Sequence, residues 1–294
     1  MVDVAVIIVG IDSQQYVENC LRSLTSADWR DYSYQVVYVD NASSDDSVNA
    51  ITTQFPEVRI LANASNVGFC RACNQAAAAV DSRYIYLLNN DTIVLQESVS
   101  KLVDFLDQTP DAAAAANRLL NEDRTDQWSG RRFPTWSNAI FGRRTLFGRL
   151  FPNSWPIRRY LYKDELGSCE PFSVDWIPGS CTLVRRKAFC DAGRLPEHMH
   201  YWSDAVFCDR LSKAGWKVYV VPTAPLVHYE GKGTGGQTSA VRCWLISDFH
   251  KGAYAFFCEH YELSRWSLTR MAARFGLGLR ARLLITLDRL TSRA

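Results

Sequence analysis

The stretch Gln35-Val36-Val37-Tyr38-Val39-Asp40-Asn41-Ala42-Ser43-Ser44-Asp45-Asp46 decides the fold. The run to Val39 is continuously apolar, as a strand covered on both faces requires. Asp40-Asn41 stop it. Ser43-Ser44-Asp45-Asp46 then offer N-cap residues and first-turn acids to a helix that turns Val48, Ile51 and Phe55 inward. A buried strand ending in an acid and feeding straight into a helix is the repeating unit of a parallel sheet with helices on both faces.

The same unit recurs on either side. Val4–Val9 reads as a buried strand, and Val17, Cys20, Leu21 and Leu24 fall on one face of the helix behind it. Val58–Leu61 is a third strand, followed by the Asn66–Phe69 loop and an alanine-rich helix to Val80. Tyr84–Leu88 is a fourth, stopped by Asn89-Asn90-Asp91. The pattern resumes at Val174–Ile177, breaks at Pro178-Gly179-Ser180 and continues through Cys181–Val184. A helix is expected over Asp204–Ala214 and a strand over Lys217–Val221, with His228 in a glycine-rich loop running to Gly236. From Trp244 on the chain reads as helical. The expected class is α/β, with residues 1–239 as the sheet domain and 240–294 as a basic helical extension.

Composition narrows the class further. The chain has 294 residues, 47% apolar and 22% charged, which excludes disordered, collagen-like and solenoid proteins. The longest apolar runs, Val4–Val9 and Ala112–Ala116, fall far short of the roughly 18 residues that cross a bilayer. No basic-then-apolar leader precedes the first strand, so a cytoplasmic location is expected. Cys70-x-x-Cys73 is the only close cysteine pair among nine and lacks a second pair for zinc, so packing is expected of it. Residues 240–294 hold nine Lys/Arg against four acids, which suggests an anionic surface as neighbour. Residues 128–170 form a basic, aromatic excursion. Among its residues are Trp128, Arg131, Arg132, Phe133, Trp136, Phe141, Arg143, Arg144, Phe147, Arg149, Trp155, Arg158 and Arg159. Either its aromatics pack back on the body or they form a surface for a lipid-bearing or anionic partner. The C-terminal leucines and arginines likewise suit an interfacial helix, packing against the body, or a dimer seam.

In open parallel sheets, ligands bind outside the carboxyl ends of strands. Asp40-Asn41, Asn89-Asn90-Asp91 and Asp204 are read as polar clusters at such ends. Acids there can bind a base or ribose, or hold a divalent cation. Asp40 can equally cap its helix, and Asp91 can equally shape a turn. No G-x-x-x-x-G-K-[ST] is present. The first strand-to-helix turn reads Gly10-Ile11-Asp12-Ser13, so neither a P-loop nor a Rossmann dinucleotide site is expected, and no nucleic-acid partner.

Six blocks, in order, resemble family-2 glycosyltransferases of the GT-A fold, especially the bacterial rhamnosyltransferase-like branch, over about residues 4–235. They follow the opening strand and helix, Val4 to Leu24. The blocks are Val39–Asp45, Asn66-Val67-Gly68-Phe69 through Asn74, Leu88–Thr92, Asp175–Arg186, His200–Val218, and His228 with its glycine-rich loop. The resemblance implies an inverting transferase that moves a sugar, such as rhamnose, from a dTDP- or UDP-linked donor. The acceptor would be a hydroxyl of a glycan or lipid-linked glycan. It implies Asp40, Asn41, Asn66, Gly68, Asn74, Asn90 and Gly179 on the nucleotide sugar. Asp91, Asn89 and His228 would stand at a Mg²⁺ or Mn²⁺ ion, and Asp204 would be the general base. Ser203 stands where the family usually has Glu, and Val206 where it usually has a second Asp. At a helix N-terminus, Asp204 is expected to keep a low pKa. The expected location is peripheral, at the inner face of the cell membrane. Ser203 and Asn89 keep open the alternative of a catalytically idle module that binds glycan or scaffolds a membrane assembly. A nucleotidyltransferase would need a glycine-rich basic loop, which Gly10–Gln15 does not provide.

Overall fold

The computed structural model describes residues 1–135, 150–229 and 238–291. Trp136, Phe141, Arg143, Arg144, Phe147 and Arg149 of the excursion, and the glycine-rich loop to Gly236, lie outside the described residues. The sheet is built from β1 (Val2–Gly10), β2 (Tyr34–Asp40), β3 (Arg59–Ala62), β4 (Ser82–Asn89), β5 (Thr92–Val94), β6 (Ala112–Leu120), β7 (Phe172–Val174), β8 (Cys181–Arg185) and β9 (Lys217–His228). Their order is β3-β2-β1-β4-β8-β6-β9-β5, with β7 paired to β9. Around the sheet lie α1 (Gln14–Thr25), α2 (Ser47–Gln54), α3 (Phe69–Ala79), α4 (Ser98–Gln108), α5 (Trp155–Tyr160), α6 (Lys163–Leu166), α7 (Arg186–Asp191) and α8 (Ser203–Lys213). The C-terminal segment adds α9 (Ser239–His260) and α10 (Leu268–Thr291).

Strand direction places the site. β3, β2, β1 and β4 are mutually parallel. β8 runs against both β4 and β6, and β9 runs with β6. Hence β1, β2, β4 and β9 all point one way. Their carboxyl ends, Gly10, Asp40, Asn89 and His228, open on the same edge, as does the loop entering β8. This is the mostly parallel, helix-flanked sheet expected from the alternating pattern.

Two elements differ from expectation. Ala112–Ala116 is the first half of β6, a central strand with all five alanines fully buried. Alanine has little strand preference, so the run carries no strand signal. Its small side chains leave room for α4, which packs on β6 and β9. The strand expected over Val174–Ile177 stops at Val174. Beyond it the Asp175 carboxylate accepts from the Phe133 N–H at 2.7 Å, and Trp176 bridges to Arg131. The helical C-terminal extension consists of two helices, and Phe256 of α9 is fully buried in the main core. α9 is tied to α8 through Arg210–Glu259 at 2.6 Å and His260–Asp209 at 2.7 Å.

Much of the described excursion packs back on the body. Ile157, Leu161, Tyr162 and Leu166 are buried, and Trp128 and Phe133 lie against the core. Its cations sit over rings: Arg131 over Trp176 at 4.6 Å, Arg132 over Tyr162 at 4.5 Å and Lys163 over Trp128 at 4.4 Å. Leu150, Phe151 and Trp155 remain exposed.

Candidate active site

The loops after β1 and β2 form one hydrogen-bonded rim. Asp12, in the left-handed region at φ 47°, accepts from the Ser44 N–H at 2.7 Å and from the Ser44 hydroxyl at 3.0 Å. The Asp45 carboxylate accepts from the Gln14 N–H at 3.0 Å and the Ser47 N–H at 3.1 Å. It thus joins the two loops as well as serving the start of α2. Ser13 and Tyr38 hydroxyls meet at 2.9 Å beneath them. Gly10 is required there, because a Cβ would lie 2.1 Å from the Tyr38 hydroxyl. Asp40 is buried at the end of β2, and its carboxylate accepts from the Ser43 N–H at 3.2 Å and the Ser43 hydroxyl. Asn41 accepts from Asn63 Nδ2 at 3.0 Å.

Two further expected residues shape α3. The Asn66 side chain accepts from the Gly68 N–H at 2.9 Å, and Gly68 precedes α3 at φ +86°. Asn74 faces away from this rim. Its amide donates to the Leu195 carbonyl at 3.0 Å and Glu197 at 3.1 Å, and accepts from the Leu195 N–H at 3.2 Å. Its polar atoms therefore clamp α3 to the turn at 195–197.

At the next strand ends, Asn89, Asp91 and His228 converge. Asn90 and Asp91 form the turn into β5, whose Thr92 pairs with His228 of β9. His228 Nε2 stands 3.3 Å from Asp91 Oδ1 and 3.5 Å from Asn89 Nδ2. Asp91 Oδ1 is buried and has no hydrogen-bond partner among the described residues. Below, Cys20 Sγ lies 3.4 Å from Thr92 Oγ1, and burial pushes its thiol up to about 12, so it stays protonated. No three His, Cys, Asp or Glu side chains converge among the described residues. The donor set is one carboxylate, one imidazole and one amide. That fits a hard divalent cation whose remaining positions are filled by substrate phosphates and water.

Asp204 is not at a strand end. It opens α8, behind Trp202 at φ 72°. One carboxylate oxygen accepts from the Ala205 N–H at 2.9 Å, and the Gly179 N–H also donates to the carboxylate. The low pKa expected from the helix terminus is not found. Burial pushes the Asp204 carboxyl above the usual range, and Arg131 with these N–H groups only partly offsets it. A helix terminus acts on the first turn with partial charges, which surrounding protein outweighs here. The two departures from the family pattern lie inward: Ser203 is buried beside Cys70, and Val206 is in the core.

A cleft opens beside His228. Gln127, Trp128, Arg131, Pro178, Ser180 and His228 line it. The Asn89 N–H donates to the Ser180 carbonyl at 3.0 Å, tying the Asn89–His228 end to the Pro178-Gly179-Ser180 turn. Gln127 carried no signal in the sequence, and Arg131 stood out only as one basic residue of the 128–170 excursion. Both lie in the irregular segment after β6, far in sequence from the residues they serve.

A family model described as glycosyl transferase family 2 matches residues 5–191. An N-acetylglucosaminyl-diphospho-decaprenol L-rhamnosyltransferase of Mycobacterium tuberculosis is 28% identical over 92% of this chain and 89% of its own length. The rhamnosyltransferase WbbL of Escherichia coli is 26% identical over 92% of this chain and 99% of its own. Among solved structures, residues 1–349 of S. aureus TarS align with TM-score 0.55 at 12% identity, covering 94% of this chain and 78% of that one. GalNAc-T7, solved with UDP, GalNAc and Mn²⁺, aligns with TM-score 0.59 at 13% identity, covering 95% of this chain and 55% of that one. Likeness at this identity speaks for the fold, which is GT-A.

Proposed function

The chain belongs to glycosyl transferase family 2, and on that premise we propose that it is an inverting, metal-dependent transferase that moves rhamnose or another hexose from a dTDP- or UDP-linked donor to a lipid-linked glycan. The observation that supports this reading is a shared cleft: His228, which lines it, faces the buried Asp91 oxygen at 3.3 Å, and Arg131, which also lines it, places its charge near the half-buried Asp204. The sugar follows the names of the mycobacterial and E. coli relatives, and the lipid-linked acceptor follows the name of the mycobacterial one.

The residues divide the work. The rim at Asp12, Asp40 and Asn41 receives the nucleoside. Asn89, Asp91 and His228 would hold a divalent cation, which would stabilise charge on the departing diphosphate as a Lewis acid. Asp204 accepts the proton of the acceptor hydroxyl while its oxygen bonds to the anomeric carbon. On the opposite face the bond from that carbon to the diphosphate oxygen breaks, and the nucleoside diphosphate leaves with the electron pair. A base with a raised pKa suits this task, because it binds the transferred proton more firmly. Arg131, held over the Trp176 ring, keeps positive charge near Asp204 and favours its ionised form against burial.

Thermal shift with UDP, dTDP and GDP, with and without Mn²⁺, tests the reading. One nucleotide should stabilise the wild type only with metal, and Asp91→Ala should abolish that gain. Stabilisation indifferent to metal and to Asp91 would overturn it.

A membrane location goes with a lipid-linked acceptor. No described helix is long and apolar enough to cross a membrane. On α10, Ala273 and Ala281 are buried, whereas Leu268, Met271, Phe275, Leu279, Leu283, Leu287 and Leu290 are exposed. At 100° per residue these seven share one stripe, and Arg274, Arg280, Arg282 and Arg289 fall at or near its edges. Asp288 is turned toward α9, 2.7 Å from Arg242. An exposed apolar stripe bordered by arginines fits an anionic bilayer surface. Leu279→Ser with Leu283→Ser should release the protein from vesicles containing phosphatidylglycerol. Unchanged sedimentation with those vesicles would refute the docking.

A further inference from the structure

Gln127 holds His228 twice. Its Nε2 lies 2.6 Å from the His228 carbonyl oxygen, and its Oε1 lies 2.9 Å from His228 Nδ1. A carbonyl oxygen only accepts, so the Gln127 amide nitrogen must face it, and this fixes the amide's orientation. Oε1 then faces the ring and carries no hydrogen, so Nδ1 must be the donor. In a neutral imidazole the lone pair therefore sits on Nε2, the atom 3.3 Å from Asp91 Oδ1. The opposite tautomer would set two lone pairs against each other at 2.9 Å.

The clamp is itself anchored. Gln127 is buried, and its N–H donates to the Leu119 carbonyl of β6 at 2.8 Å. On the other side the Tyr229 N–H donates to the Asp91 carbonyl at 2.9 Å, which keeps His228 in register with the turn. Ring and backbone are thus fixed, with Nε2 3.3 Å from an Asp91 oxygen that has no hydrogen-bond partner among the described residues and 3.5 Å from Asn89 Nδ2.

We propose that Gln127 is a positioning residue: it locks His228 in the Nδ1–H tautomer and so presents Nε2, together with Asp91, to a divalent cation. This rests on the metal reading above and adds to it the residue that prepares the ligand. A hydrogen bond from the far ring nitrogen sets both the tautomer and the orientation of a metal-bound imidazole.

The test uses the full chain with Mn²⁺ alone as the probe. Mn²⁺ affinity is read from the free-ion EPR signal, and ligation from ¹⁴N modulation in pulsed EPR. Wild type should show ring-nitrogen modulation that His228→Ala removes. Gln127→Leu should weaken Mn²⁺ binding by about 10- to 100-fold and lose the modulation. Gln127→Glu should keep the modulation, though with weaker Mn²⁺ binding, because one carboxylate oxygen still accepts from Nδ1–H while the other loses the bond to the His228 carbonyl. Circular dichroism melting checks that each variant is folded. If Gln127→Leu binds Mn²⁺ as wild type does, with full modulation, the positioning role is wrong while the metal site stands. If wild type itself shows no nitrogen modulation, both are wrong. Should Gln127→Leu not fold, loss of modulation in folded Gln127→Glu overturns the proposal.

Discussion

The rim formed by the loops after β1 and β2 and the cleft at Asp91, His228 and Asp204 lie on the same sheet edge but are built on opposite principles. In the rim, polar groups answer one another: Asp12 to Ser44, Asp45 to Gln14 and Ser47, Ser13 to Tyr38, Asp40 to Ser43. Each such bond contributes about 0.5–1.5 kcal/mol net, and together they fix the loops before any ligand arrives. In the cleft, polar groups are left wanting. Among the described residues, Asp91 Oδ1 is buried without a hydrogen-bond partner, and so is Trp202 Nε1, two residues before Asp204; the other such atoms, on Ser154, Asp209, Asp248 and His250, lie elsewhere. Leaving such an atom unpaired costs about 1–3 kcal/mol. The contrast separates a surface built to hold its shape from one that keeps unspent bonding capacity for a ligand.

The largest expected effect tests the cleft. Asp204→Asn should lower sugar transfer by about 10²- to 10⁴-fold, the usual worth of a positioned base. It should also make the protein more stable at neutral pH. Burial raises the Asp204 pKa, so over the window between the ordinary Asp value and the raised one the folded protein keeps a proton that the unfolded chain has lost. Stability therefore falls as pH rises through that window and stays lower above it. Asparagine carries no such penalty. The variant should melt above wild type at pH 7, and the gap should close below the ordinary Asp range. If Asp204→Asn melts below wild type at pH 7, Asp204 belongs with the satisfied residues of the rim and the contrast fails.

The two regions also differ in how much of them could be read in advance. The rim's strands and helices follow from continuous apolar runs ending at Gly10 and Asp40, because buried parallel strands leave that mark. β6 left none, since Ala112–Ala116 is equally at home in a helix. Asp91 and His228 could be named, yet their facing depends on β9 running parallel to β6 and pairing with β5, a long-range register no local pattern encodes. The same holds for Gln127, which reaches His228 across about a hundred residues. The pKa of Asp204 was misjudged for a related reason. A helix start is local and legible, whereas the protein that buries the carboxyl comes from several segments.

Asn74 gives the smaller and finer test, because its expected role and its observed contacts point to different regions. As a nucleotide-sugar ligand it would belong to the cleft and its loss would raise the donor KM. Its amide instead makes three bonds to the turn at 195–197. Asn74→Ala would strand both the N–H and the carbonyl of Leu195, each buried with that turn. Destabilisation of about 1–3 kcal/mol is expected, with the donor KM close to wild type in the folded fraction. Urea unfolding and donor titration measure the two quantities separately. A rise in KM with unchanged stability would return Asn74 to the cleft. The expected result extends the satisfied framework from the rim through α3 to the turn that leads into Trp202 and Asp204, so that the base is held in place by residues that never meet the sugar.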